Sequence, residues 1–197
     1  MKYIFLGLGN PGEQYSKSKH NLGRIIITNF AKTFDFPEWE FNKSINASIS
    51  KKDFGKNTIT LVLPETFMNN SGDVLRKMKV EKKDSQKILV VYDDLDLPFL
   101  KTKFSFNRSS GGHKGVESII KALKTEEFYR VRVGISKTTS KGLVKKIKDE
   151  DKTIDFIMKN YKEEELKEIK KLSKKIGDAM FIFIEEGFQK SATFLNS

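Results

Sequence analysis

The strongest constraint on the fold is a pair of short, nearly continuous apolar runs, residues 2–8 (KYIFLGL) and 88–92 (ILVVY), separated by segments with helical periodicity. An uninterrupted apolar run of this length suits a strand covered on both faces, as in a parallel sheet flanked by helices. Between and after these runs the spacing predicts helices. Leu22, Ile25, Ile26, Phe30, Ala31 and Phe34 recur at helical intervals, and Pro37 ends that segment. Residues 73–78 form a short helix, Val116, Ile119, Ile120 and Leu123 mark another, and Leu166, Ile169, Leu172, Ile176, Met180 and Phe183 lie on one face of a long final helix stopped at Gly187. Residues 45–63 alternate apolar and polar positions about a turn at residues 54–57, which reads as a hairpin, and FYRVRVGI reads as a further strand. The expected architecture is a three-layer α/β/α sandwich around a twisted mixed, mainly parallel sheet, with residues 1–197 forming one domain. Residues 138–152, charged and weakly apolar, are the candidate for a mobile flap.

The 37 Lys plus Arg residues outnumber 26 Asp plus Glu and leave a formal charge of +11, which fits a polyanionic partner or, more simply, a lysine-rich solvated surface. Charge alone does not separate these. Cysteine is absent, which removes disulfides, a thiol nucleophile and cysteine-ligated zinc, and fits a reducing cytoplasm. The N-terminal segment lacks the features of a signal peptide, and no apolar stretch approaches ~18 residues, so a soluble protein with no membrane partner is expected.

In open α/β sheets, sites form beyond the carboxyl ends of the strands. GLGNPG follows the first apolar run and spells the glycine pattern of a dinucleotide loop, but Pro11 intervenes, helical periodicity waits until after His20, and no acid ends a second strand about 20 residues on. A tight turn that holds Asn10 at a pocket rim fits better. His20 stands at a helix start, where the positive end of the helix dipole favours a neutral imidazole able to accept a proton. A lone histidine there is a bland helix-start residue, but Asp93, at the end of the 88–92 run, can orient it and select its tautomer. The two influences on its pKa oppose each other.

The cluster YDDLDLP also fits a magnesium site, yet no phosphate-binding loop accompanies it, and loop capping by Asp94 and Asp96 is the preferred reading; no metal is expected. RSSGGHKG offers backbone amides and a helix start to an anion, with Arg108, Lys101, Lys103 and Lys114 nearby. ETFMNNSG supplies amides at Asn69 and Asn70 for a developing oxyanion and an apolar surface at Phe67 and Met68, although Asn70 or Ser71 can instead cap a helix.

Taken together, GLGNPGEQYSKSKHNLG, TFMNNSG, YDDLDLP, SSGGHKGVESII and FYRVRVGI follow the order and spacing of bacterial-type peptidyl-tRNA hydrolase, and the chain resembles that family over nearly its whole length. The resemblance implies a cofactor-free, monomeric cytoplasmic enzyme that cleaves the ester joining a peptide, or an N-blocked amino acid, to the 3′ terminal ribose of tRNA. It implies that His20 activates water, Asp93 orients His20, Asn10 recognises the blocked amino group, and Asn69 orients substrate or water and supports the oxyanion. Tyr15 and Phe67 match contacts to the 3′ end, and Arg132 matches part of a phosphate-binding surface. Three positions depart from the pattern: Lys114 replaces the usual Asn, Lys19 replaces an Arg, and Ser105 stands where a basic phosphate contact is common, leaving Lys103 or Lys101 to compensate. A catalytically idle RNA-binding relative would keep the basic face without needing both His20 and Asp93.

Overall fold

The computed structural model describes residues 1–147 and 149–196. Its strands are β1 (Lys2–Gly7), β2 (Glu40–Asn42), β3 (Ala47–Phe54), β4 (Asn57–Pro64), β5 (Ile88–Pro98), β6 (Thr102–Phe106) and β7 (Tyr129–Ser136). The helices are α1 (Leu22–Thr33), α2 (Asp73–Lys77), α3 (Lys114–Leu123), α4 (Glu150–Met158), α5 (Glu163–Glu186) and α6 (Phe188–Asn196). All seven strands join one sheet in the order β2-β3-β4-β1-β5-β7-β6. β1 pairs in parallel with β4 and β5, and β5 with β7, whereas β3 and β6 run antiparallel to their neighbours. The sheet is therefore mixed and mainly parallel, as the apolar runs require.

Alternation along the central strands feeds two cores. Phe5 packs on one face with Leu22, Phe30, Ile176 and Met180, while Leu6 packs on the other with Val74, Val116 and Ile119. Helices therefore cover both faces. Each fully buried side chain of this size contributes about 1.5–3 kcal/mol. The hairpin forms where expected, with Phe54 opposite Asn57 and Gly55 at φ 55° supplying the turn conformation that a side chain disfavours. α5 buries Ile169, Ile176, Met180 and Phe183 and ends at Gly187, whose φ of 90° breaks the helix.

Some elements go beyond the sequence pattern. β6 and α6 form chiefly through partners: Thr102 Oγ1 donates to the Leu195 carbonyl, and the Asn196 side chain pairs with the backbone of Phe104. Within the segment expected to be a flap, Thr138 bridges to Val144 and α4 starts at Glu150; Lys148 lies outside the described residues. The expected side-chain cap of α2 by Asn70 or Ser71 does not occur. Gly72 occupies the cap position, and Ser71 Oγ donates instead to the Met68 carbonyl, because a preceding 3-10 turn (Met68–Asn70) takes up the polar groups. No helix among the described residues is long and apolar enough to cross a membrane.

Candidate active site

The site lies beyond the carboxyl end of β1 and beside Asp93, midway along β5. The chain leaves β1 through a loop that becomes helical only at Leu22, too late for a dinucleotide-binding turn. Leu8 N–H donates to the Val91 carbonyl and Arg24 N–H to the Leu8 carbonyl, so the first turn of α1 is held against both strands. Gly23 allows this approach: a Cβ there would stand 2.0 Å from the Val91 oxygen. That packing brings His20, in the 3-10 turn Lys19–Asn21, beside Asp93 on β5.

His20 Nδ1 lies 3.0 and 3.1 Å from the two carboxylate oxygens of Asp93. A second imidazole meets the same carboxylate, with His113 Nε2 3.1 Å from Asp93 Oδ1. The two rings sit 5.0 Å apart. His113 is the N-cap of α3, and its Nδ1 accepts from the Val116 N–H. Its tautomer follows from these partners: Nδ1 is an acceptor, so Nε2 carries the proton given to Asp93. By the same logic Nδ1 of neutral His20 donates to Asp93, leaving the lone pair on Nε2. His20 is therefore equipped to accept a proton, whereas both nitrogens of His113 are engaged in holding α3 and Asp93.

The electrostatics agree. Burial works to raise the pKa of Asp93, but the charges of His20 and His113 and the hydrogen bonds from both override it and hold the carboxyl well below its ordinary range. Burial pulls His20 down, yet the Asp93 charge and hydrogen bond leave its pKa raised above 6.5. The carboxylate, which touches the ring directly, outweighs burial. His20, Asp93 and His113 also offer three metal-ligand atoms within 4.8 Å of one another. In the tautomers above, His113 has no free lone pair to offer a cation.

A cavity of about 550 Å³ opens on this cluster. Its walls include His20, Asp93, His113, Ile154 and Ile157 from α4, and four cationic side chains, Lys103, Arg108, Lys114 and Arg132. Lys101 is not among its lining residues. Arg132 Nε donates to Asp94 Oδ2 at 2.6 Å, and Asp94 Oδ1 accepts from the Asp96 N–H, so Asp94 does cap its loop and also offsets part of the basic wall.

The other sequence-derived candidates are placed less uniformly. Asn10 is buried, 8% exposed, rather than standing open at a rim. Its Oδ1 accepts from the Met68 N–H, and its backbone N–H and carbonyl are both held by the side chain of Asn21. Asn69 is exposed and lines an adjoining cavity of about 220 Å³ together with Asn70, Ser118 and Lys114. Lys114 lines both cavities and lies 3.5 Å from Glu117. The Asn70 N–H is committed to the Phe67 carbonyl. Phe67 is 60% exposed, and Tyr15 lies half-buried in the turn Glu13–Tyr15; neither lines the larger cavity.

His113 was missed as a functional residue because RSSGGHKG reads as an anion-binding loop. The available signal was that the chain has two histidines and this one also immediately precedes a helical pattern.

The sequence profile described as peptidyl-tRNA hydrolase matches residues 4–197. A peptidyl-tRNA hydrolase of Hydrogenobaculum sp. (strain Y04AAS1) is 36% identical over 197 residues, covering 98% of this chain and 96% of the relative. One from Thermodesulfovibrio yellowstonii is 30% identical over 196 residues, covering 98% of each. The crystal structure of peptidyl-tRNA hydrolase from Acinetobacter baumannii superimposes with a TM-score of 0.84 at 18% identity, covering 99% of this chain and 94% of that one, a likeness of fold. With a profile match over nearly the whole chain and relatives of equal length, the chain belongs to the peptidyl-tRNA hydrolase family, a family of hydrolases.

Proposed function

We propose that this enzyme hydrolyses the ester between a peptide, or an N-blocked amino acid, and the 3′ terminal ribose of tRNA, with His20 as general base. The observation that carries this reading is the pairing of His20 Nδ1 with Asp93, which leaves Nε2 as the basic nitrogen at a cavity whose lining includes Lys103, Arg108, Lys114 and Arg132. Nε2 takes a proton from water as the water oxygen forms a bond to the ester carbonyl carbon, and the carbonyl oxygen becomes an oxyanion. Collapse of that intermediate breaks the bond to the ribose oxygen, which recovers the proton from the His20 imidazolium. The peptide leaves as a carboxylic acid that gives its remaining proton to solvent, and tRNA is released. Asp93 stabilises the imidazolium formed in between, and no cofactor enters the balance.

Asn69 supports the oxyanion or orients the substrate from the adjoining cavity, and Lys114, shared by both cavities, contacts the peptide or the terminal adenosine. Asn10, its amide fixed by the Met68 N–H, recognises the blocked amino group. Lys103 and Arg132 receive tRNA phosphate, and Tyr15 and Phe67 offer ring faces to the 3′ end. The enzyme works as a monomer.

The decisive assay is release of N-acetyl-amino acid from N-acetyl-aminoacyl-tRNA. His20→Ala is expected to lower turnover by about 10²–10⁴-fold while the protein stays folded. Wild-type turnover in that variant, or no hydrolysis by the parent enzyme, overturns the reading.

A further inference from the structure

Arg130 is the largest fully buried side chain among the described residues, 0% exposed, and no acidic side chain among them pairs with it. Arg132, two positions along β7, has Asp94; Arg130 has only neutral partners. Its Nη1 donates to the Ser109 carbonyl and its Nη2 to the Glu126 carbonyl, each at 3.4 Å, its guanidinium lies 4.2 Å from the centre of the Phe128 ring, and its Nε makes no hydrogen bond. Burial is the largest influence on this cation and lowers its pKa; Tyr92 and Glu126 pull the other way without pairing with it. Burying the charge works against these contacts, so stability alone is a weak reason to keep it.

Its two partners suggest another. Ser109 precedes α3 and Glu126 follows it, so one flat guanidinium fork fastens both flanks of the helix to β7. His113 caps α3, and the residues just before it, Gly111 and Gly112, have φ of 60° and 82° with nothing within 4 Å of where a Cβ would stand. The approach to His113 is thus conformationally permissive, and Arg130 restrains it from one end while closing the span at the other. We infer that Arg130 is a positioning residue for the reaction, setting the His113–Asp93 contact, and through it the carboxylate that orients His20, by clamping the two ends of α3. The inference rests on the general-base reading above.

The test is a double-mutant cycle joined to imidazole NMR, which is simple to assign because the chain has two histidines. Arg130→Met keeps the apolar stem, removes the unpaired charge, and is expected to leave the protein folded. In this variant kcat should fall about tenfold, the scale on which residues supporting functional ligands act. KM should stay within about twofold. The His113 ring signals should shift, and the acid limb of the pH profile should move upward as Asp93 turns wholly to His20. In a His113→Asn background the same substitution should change neither rate nor profile, since the group it positions is gone.

Full activity in Arg130→Met, unshifted His113 signals, or an equal loss in both backgrounds overturns the inference. If Arg130→Met does not fold, Arg130→Lys is read in the same cycle, with the same coupling expected and additivity again overturning it. Should His20→Ala prove active, the general-base reading fails by itself, and the His113 signals still decide whether Arg130 sets that contact.

Discussion

The two loops that bring histidines to Asp93 are built in opposite ways. The loop from β1 to α1, carrying His20, is braced on either side of a largely exposed stretch at residues 12–17. Asn21 closes two hydrogen bonds on the backbone of Asn10, Ser18 and Lys19 are buried, and the Lys19 ammonium sits 4.2 Å from the centre of the Tyr161 ring and 3.6 Å from Glu165. The loop before α3, carrying His113, has exposed glycines in the left-handed region with open space around them. The difference separates two tasks. A base must be held in one orientation to accept a proton, and buried polar contacts do this because breaking any of them strands a desolvated group. A wall that receives a substrate gains from a backbone that can adjust.

Asp93, where the two loops meet, gives the largest expected effect. Asp93→Asn removes the charge that stabilises the imidazolium and scrambles the tautomer of both rings, so turnover should fall by about 10³–10⁴-fold. The thermal midpoint at neutral pH should fall too, because the depressed carboxyl pKa marks a stabilisation of the folded state. A loss below tenfold would mean that the loops alone orient His20. The braced loop comes next. Asn21→Ala leaves the Asn10 N–H and carbonyl buried without partners and should cost about 2–4 kcal/mol in urea unfolding, with activity falling in step.

The pH response sharpens the comparison further. The folded pKa of His20 is raised above 6.5, so its protonated form, paired with Asp93, contributes stability that is full below 6.5 and is lost as pH rises through the folded value. Catalysis needs the neutral form. Activity should therefore climb over the same interval in which that contribution disappears, with the midpoint of the acid limb above 6.5; a midpoint below it would show that Asp93 does not govern the ring. The smallest effect belongs to the open loop. Gly112→Ala places a side chain at positive φ but meets no neighbour, so it should cost no more than about 1 kcal/mol, read as a small shift in urea midpoint, and should alter KM more than kcat.

Much of this protein was legible without coordinates. Apolar runs and helical periodicity report which residues leave water, and that is a local property, so the layered α/β class, the hairpin, α1, α3 and α5 follow from spacing. His20 and Asp93 could be paired because each sits at the end of a recognisable element, and parallel sheets gather such ends on one edge. β6, α4 and α6 carried weaker signals: α4 has no fully buried residue among those described, and β6 is a short edge strand whose pairing depends on β7 and α6. Only the tertiary structure decided that Asp93 serves two imidazoles, that Asp94 claims Arg132, that Asn10 is buried, and that Asn69 opens on a neighbouring cavity. Those outcomes turn on which side chains from distant segments reach one another within about 3 Å, and hydrogen bonding at that range depends on the packing of the whole sheet and its helices rather than on the residues nearby in the chain.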